Sequence, residues 1–576
     1  MNDAHASTPF HILDGIGPFF RDLPDGRINW SKIPFVLLER DGRVDRERFA
    51  RIRVDFETIC ARAADYGFNA ISLDDLAHMT DHPSYPTDLR ERIAAYRKEF
   101  AALFAIAARH KLRVLLTTDI SFFNAALDAE LGRRHRRIIA FLEAAIVDAF
   151  QRFPEIAGII TRIGESDGLD VEGDFRSRLV IRSPGQARRY LDALLPVFER
   201  HDRWWIFRTW SVGAYRIGDL IWNRVTFERV FGRIRSPRLV ISMKHGESDF
   251  FRYLPLNKQF FRGDLPRIIE LQARREYEGA GEYPSFIGAD YEAFRNRLRD
   301  MPSMRGAMVW CQTGGWIRFR RRTFLANSSV WNEINTWVSI RLFRDGITAA
   351  EAVDQWRQRY LPDARSDRLL RLLRLSEEVV SELLYVDDFA RRKIYFRRLR
   401  VPPLLAVFWD RVIVSHPMRQ LLRSFVRDGE AKILQGHRAL EKLAEMHALA
   451  NECGLPAADI DFMYDTFAVL AATREYYFRE FSPAMVDRLM ALREAYRAKY
   501  GTRYTIHLDF RPFNLSHRRL RTIVRFLFRR KRGYRLLDHL FTVRLLGWIY
   551  PLLRRNTAWA PEFSRQQAMG IDTVFK

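Results

Sequence analysis

The sequence predicts an α/β fold, a closed (β/α)8 barrel followed by an α-helical C-terminal domain, and three observations carry that expectation. Eight short apolar runs recur between residues 33 and 312. The intervals between several of them have helical period, so strands and helices alternate as in parallel βαβ units. After residue 346 the strand signals fade while helical period continues. Eight such units over about 300 residues match a TIM-type barrel in count and length.

In chain order the runs are 33–38 IPFVLL, 69–73 NAISL, 113–119 RVLLTTD, 158–165 GIITRIGE, 204–210 WWIFRTW, 239–246 LVISMKHG, 266–272 PRIIELQ and 306–312 GAMVWCQ. They are rich in β-branched and aromatic residues and nearly continuous in hydrophobicity, as strands buried on both faces are. Helical periods fill 47–66, 88–110, 131–153 and 184–201; in the third, Ile138, Ile139, Leu142, Ile146 and Phe150 share one face. A doubly wound open sheet is the alternative, but no G-x-G-x-x-G follows the first run and no G-x-x-x-x-G-K-[ST] occurs. Beyond the barrel, 349–361, 366–387, 430–453 and 483–500 are helical in period. The expected organisation is a lead-in over 1–30, the barrel over 31–345, a helical domain over 346–510 and a basic helical segment over 511–576.

Composition narrows the function classes. With 576 residues, 47% of them hydrophobic and 13% aromatic, the chain can bury a large core and is not disordered. The formal charge is +24, and the 95 basic residues are overwhelmingly arginine, which binds carboxylate or phosphate as a fork. That balance points to an anionic partner. Cys60, Cys311 and Cys453 are far apart and outside any Cys/His cluster, which argues against zinc sites and a disulfide framework. No basic-then-apolar leader and no charge-free run of spanning length is visible, so the expected address is cytoplasmic. No cofactor and no metal is called for.

In such a barrel, chemistry sits where the strands end at their C-termini. There the sequence places Arg162 and Glu165, Arg208 and Trp210, Lys244 and Asp249, Glu276 and Tyr277, and Trp316. Carboxylates from several strands would face one mouth with Arg, Lys and Trp between them. Glycoside hydrolysis needs such carboxylates, one to protonate the leaving oxygen and another to activate water or attack. Aromatic rings suit the C–H faces of sugars, and the cations suit an acidic sugar. Asp167, Glu247 and Glu278 flank the chosen carboxylates and could exchange roles with them. His245 reads as a structural hydrogen-bonder, since no partner lies at metal-ligand spacing.

Two stretches carry a family resemblance. LVISMKHGESDFFRYLPLNKQFF is similar to the strand-6 motif of the α-glucuronidases, glycoside hydrolase family 67, with its Lys, Gly and Asp-Phe at the same offsets. IIELQARREYEGAGEYPSFIGADYEAF resembles the next motif, an E-hydrophobic-Q strand leading to Glu-Tyr-x-Gly. LANSSVWNEINTWVSIRLFRDGITAAEAVDQW resembles the family's eighth helix and the entry to its helical region, and GIITRIGESDG, less closely, its strand-4 segment. The resemblance implies an inverting glycosidase with Glu165 as general acid and Asp249 and Glu276 as the pair that orients and deprotonates water. It also implies that Arg208 and Lys244 hold the sugar carboxylate. Trp210, Tyr277, Trp316 and Arg162 complete the expected substrate site.

From Arg511 to Arg555 there are 13 basic residues against one acid, Asp538. Residues 518–532 place Leu520, Ile523, Val524 and Leu527 on one helical face, with arginines toward the other. The following 536–553 is apolar and contains Trp548 and Tyr550. Two readings stay open: helices that pack on the barrel, or an in-plane anchor giving 518–553 peripheral contact with an anionic membrane. Nothing supports nucleic acid binding. The leading function is an exo-acting glycosidase on an acidic oligosaccharide or polysaccharide. The alternative is a non-catalytic or membrane-associated acidic-glycan-binding protein of polysaccharide assembly or turnover.

Overall fold

The computed structural model describes residues 9–22, 32–163, 173–211, 215–312, 321–391, 393–395, 400–401, 407–408, 411–501, 503–511, 522 and 528–529. Glu165, Asp167, Trp316 and nearly all of 518–553 lie outside the described residues.

Eight parallel strands close into a barrel. They are β1 (Phe10–Asp14), β2 (Ala70–Asp74), β3 (Arg113–Asp119), β4 (Ile156–Arg162), β5 (Trp204–Arg208), β6 (Leu239–Lys244), β7 (Arg267–Gln272) and β8 (Met304–Trp310). β1 closes the ring by pairing with β2 (Ile12 opposite Ala70) and with β8 (Phe10 opposite Gly306). β6 and β7 run parallel, with Met243 opposite Ile269. The eight-strand barrel and the helical region after it are therefore as the sequence predicts.

The first strand is not where the sequence analysis put it. FHILD, inside the expected 1–30 lead-in, forms β1, whereas Phe35–Leu38 of the IPFVLL run is a 3-10 turn. Pro34 explains this, because it lacks the N–H a central strand must donate. Phe35 and Leu38 are still buried, with Phe35 stacked on His78 at 3.4 Å. The run is apolar because it packs on His78, Tyr96 and Phe100, not because it pairs within the barrel.

The helices lie close to their expected spans: Arg46–Tyr66, Thr87–Arg109, His135–Arg152 and Pro184–Arg200 within the barrel. Local signals set their ends. Asp45 accepts the Arg48 N–H at the first N-terminus, a cap worth about 1 kcal/mol. Gly67 stops that helix with a φ of 94°, the left-handed region that suits glycine. Ile138, Leu142, Ile146 and Phe150 face the core, with Ile139 at its edge. Inside the ring, Phe10, Ile12, Ala70, Leu115, Ile160, Ile206, Val240, Ile268 and Met308 form a separate apolar plug.

The helical region contains Ala349–Tyr360, Ser366–Val379, Gly429–Glu452, Ala457–Phe478 and Pro483–Tyr500. The fourth has no counterpart in the sequence reading. It is buried around most of its circumference, so it lacks the polar stripe that marks an amphipathic helix. Its Asp459 ties it to the barrel by accepting Trp331 Nε1 at 2.8 Å and Arg321 Nη1 at 2.6 Å. Among the described residues, no helix is long and apolar enough to cross a membrane.

Candidate active site

Side chains alternate across a strand with period two, so the residues that continue the inner plug can be read off in order. Ile12 is followed on the same face by Asp14, Ala70 by Ser72 and Asp74, and Leu115 by Thr117 and Asp119. Ile160 leads to Arg162, Ile206 to Arg208, and Val240 to Ser242 and Lys244. Ile268 leads to Glu270 and Gln272, and Met308 to Trp310. Seven of the strands turn from apolar to polar toward their C-terminal ends, and β8 ends on Trp310, whose indole N–H is its polar contribution. The floor of the mouth is a ring of charge laid on an apolar plug. Asp14, Asp74, Asp119 and Glu270 belong to that ring and escaped the sequence reading. The inward two-residue period was the signal that could have found them.

On the side of β5 to β8, Arg208 forks onto Glu270, with Nε to Oε1 at 3.1 Å and Nη2 to Oε2 at 2.9 Å. Ser242 Oγ and Trp310 Nε1 donate to the same carboxylate at 2.7 and 3.1 Å, and the guanidinium lies 4.8 Å from the Trp310 ring centre. Burial works to raise the Glu270 carboxyl, but Arg208 prevails and holds it below the usual range.

Beside this pair, Lys244 Nζ donates to Asp249 Oδ1 at 2.7 Å. The Phe250 N–H donates to the same oxygen at 2.8 Å, and Tyr277 Oη donates to Oδ2 at 2.9 Å. Burial opposes ionisation of Asp249; Lys244 and these donors overcome it and keep the carboxyl below its ordinary value. The Lys244 ammonium also lies 4.3 Å from the Trp210 ring centre. Tyr277 stacks on Phe251 at 4.2 Å. Gln272 grips Glu276 twice, its Nε2 donating to Oε2 at 2.9 Å and its Oε1 accepting the Glu276 N–H at 3.1 Å.

Among the described acids on these two loops, burial separates roles. Glu247 and Glu278 are sealed, at 3% and 0% exposure, whereas Asp249 and Glu276 are half-buried. Glu278 is saturated by Arg252, Arg275, Ser285 and Tyr385. It cannot exchange roles with Glu276. His245 is buried, stacks on Phe294 at 5.3 Å, and is pushed down to about 3 by burial and by Arg275, so it stays neutral.

The opposite arc holds a second cluster. Arg162 Nε lies 3.2 Å from Asp119 Oδ1, and its Nη2 lies 3.7 Å from Asp74 Oδ1. Lys32 and Ser177 both bond Asp119 Oδ2, and Lys32 reaches Ser177 Oγ at 2.9 Å. Burial works against the charge on Asp119, but Arg162 and Lys32 keep it low; burial raises Asp74 to about 6. Asp14, whose carboxylate accepts the Cys311 and Gln312 N–H groups, is pushed up by burial to about 7. Glu165 follows Arg162 by three residues, outside the described residues. The structure thus brings Arg208, Trp210, Lys244, Asp249, Glu276 and Tyr277 to one arc and Arg162 to the other. Among the described residues, no group of three His, Cys, Asp or Glu is arranged to hold a metal ion.

No family model and no curated protein matches the chain. Among solved structures, a GH138 enzyme targeting pectin rhamnogalacturonan II aligns at TM-score 0.52 with 10% identity, over 86% of this chain and 62% of that one. CpGH84B aligns at TM-score 0.39 with 11% identity, over 90% of this chain and 77% of that one. A β-mannanase from the blue mussel Mytilus edulis aligns at TM-score 0.32 with 14% identity, over 52% of this chain and 88% of that one. The chain spans 62% of the length of the first of these. What it shares with that enzyme is the fold, a barrel with helices attached, and the last two likenesses are too loose to add to that. The resemblance to family 67 rests on the sequence motifs alone.

Proposed function

We propose that this chain is a glycoside hydrolase, and in finer detail an inverting, exo-acting enzyme that removes an acidic, α-glucuronate-like sugar from a glycan. The observation that carries the reading is the pair Asp249 and Glu276. Both are half-buried, on the loops after β6 and β7, and Tyr277, the neighbour of Glu276 in the chain, bonds Asp249, while Glu247 and Glu278 close to them in the sequence are sealed. Asp249 is kept ionised by Lys244 and Tyr277, as a group that must polarise water requires.

In this reading Glu165, from the loop after β4, protonates the glycosidic oxygen as its bond to the anomeric carbon breaks. Asp249 and Glu276 orient a water on the opposite face of the ring and take its proton as it attacks. Inversion needs about 6.5–9.5 Å between acid and base so that the water fits. Lys244 has three donors, of which Asp249 takes one, and together with Arg208 it supplies charge to the uronate carboxylate, while Arg162 contacts the substrate from the other arc. Trp210 and Trp316 supply ring surfaces, and Tyr277 supplies a hydrogen-bonding hydroxyl beside Asp249. Fold likeness to the GH138 enzyme agrees with this class of reaction but does not specify the sugar.

The test is hydrolysis of aryl α-glucuronides and of uronic-acid-capped oligosaccharides by the full chain, with NMR of the first-formed anomer. Asp249→Asn and Glu276→Gln should each lower kcat by about 10²–10⁴-fold on both substrate types. Glu165→Gln should do so on oligosaccharides and less on aryl glycosides, whose leaving group needs no proton. First-formed product that retains configuration would overturn the inverting assignment. Tight uronide binding without turnover would transfer the chain to the glycan-binding reading.

A further inference from the structure

Among the contacts that join the helical region to the mouth, one gathers both loops on a single carboxylate. Glu278 has no solvent exposure and accepts six hydrogen bonds from three segments. Arg252, on the loop after β6, donates to it at 3.1 and 2.8 Å. Arg275 and Ser285, on the loop after β7, donate at 3.0, 2.8 and 2.7 Å. The sixth donor is the hydroxyl of Tyr385, from the helical region, at 2.8 Å. Both loops that carry Asp249, Glu276 and Tyr277 are therefore tied to one buried point.

Tyr385 is itself fixed. It follows a π turn, Val380–Leu384, that ends the helix Ser366–Val379; such turns are frequent at functional sites. Arg474 Nη2 donates to the Tyr385 carbonyl at 2.7 Å and to that of Leu383 at 3.3 Å, while its Nη1 holds the Lys432 carbonyl at 2.8 Å. The Tyr385 ring meets Tyr253 edge-on at 5.5 Å, and Tyr253 Oη donates to the Ser381 carbonyl at 2.9 Å. The Arg474 guanidinium, the Tyr253 ring and the Glu278 carboxylate fix this tyrosine.

We infer that the helical region is a working part of the site, with Tyr385 a positioning residue that acts through Glu278 on Asp249, Glu276 and Tyr277. The catalytic part of this inference rests on the proposed glycosidase reading; the mechanical coupling does not. The link is short. Glu278 neighbours Tyr277 in the chain, and the Tyr277 hydroxyl is one of the donors that keep Asp249 ionised. A buried polar network that loses one member leaves the others incompletely satisfied and less rigid, and the members here belong to the two loops.

The experiment compares Tyr385→Phe with Tyr253→Phe in the full chain, by steady-state kinetics over pH and by amide hydrogen exchange. Tyr385→Phe keeps the ring packing and removes one hydroxyl. It should lower kcat by about fivefold with little change in KM. It should move the acid limb of kcat/KM to higher pH as the Tyr277 bond to Asp249 loosens, and speed exchange in 245–262 and 273–287. Tyr253→Phe loses a bond at the same interface without touching Glu278, so it should leave the acid limb in place. If Tyr385→Phe keeps the wild-type kcat, acid limb and exchange rates, the inference is overturned. If the wild type cleaves no glycoside but Tyr385→Phe still loosens both loops, the coupling stands and the glycosidase reading falls.

Discussion

Replacing Arg208 with Met tests the charged floor of the barrel most directly. Arg208 and Glu270 are both buried, and the pair is joined by a fork and backed by Ser242 and Trp310. Arg208→Met fills much of the same volume but leaves a carboxylate inside the barrel without its cation. Breaking a buried pair from one side costs about 3–5 kcal/mol, a large part of a typical total of about 5–15 kcal/mol. The sign of the pH dependence should reverse as well. In the wild type the Glu270 pKa is depressed by Arg208, so its contribution is present above the unfolded-state value and is lost as pH falls. In the variant, burial acts without that opposition and raises the pKa. Stability is then greatest at low pH and declines as pH rises. Urea unfolding followed by tryptophan fluorescence between pH 5 and 8 measures both effects. The double variant Arg208→Met/Glu270→Gln removes the stranded charge and should recover most of the loss. A single variant that is as stable at pH 8 as the wild type, or whose deficit relative to the wild type does not shrink from pH 8 to pH 5, would refute the reasoning.

Three other outcomes follow from the same geometry. Gly306 has a φ of 129°, and a Cβ there would lie 2.1 Å from the Phe10 carbonyl oxygen at the strand pair that closes the barrel; Gly306→Ala should cost at least about 2 kcal/mol in thermal unfolding. Tyr277→Phe removes a donor to Asp249, so the Asp249 pKa should rise and the acid limb of kcat/KM move up by about one pH unit, which a pH-rate profile would register. Burial raises Glu377 to about 7 despite Arg252 nearby, so its folded-state pKa lies above the unfolded one and stability falls as pH rises toward 7. Glu377→Gln should flatten that slope and gain about 2 kcal/mol at pH 8 relative to pH 5 by urea unfolding.

Much of the architecture was legible because it follows from local pattern. Seven of the eight strands are apolar runs bounded by turns, and their inner and outer faces are both buried, so the runs stand out. β1 escaped because FHILD is short and carries His11 and Asp14, while the more hydrophobic IPFVLL nearby competes for the same place. Only the ring itself, in which Phe10 must meet Gly306 and Ile12 must meet Ala70, decides between them. The helix Ala457–Phe478 escaped for the opposite reason: a helix buried on most sides has no stripe to read.

The sequence by itself determined the class of fold, the spans of seven strands and most helices, and part of the set of charged residues that close the strands. Each of these depends on neighbours a few residues apart. Tertiary structure alone decided how the charges are shared. That Arg208 answers Glu270, that Lys244 and Tyr277 answer Asp249, and that Glu278 is spent on joining two loops to Tyr385 depends on contacts between residues 5 to 107 positions apart. A carboxylate in a sequence is an acid of unspecified role. Burial and partners make one a sealed structural anchor and another an open base, and both are set by the closing of the barrel and the docking of the helices on its rim.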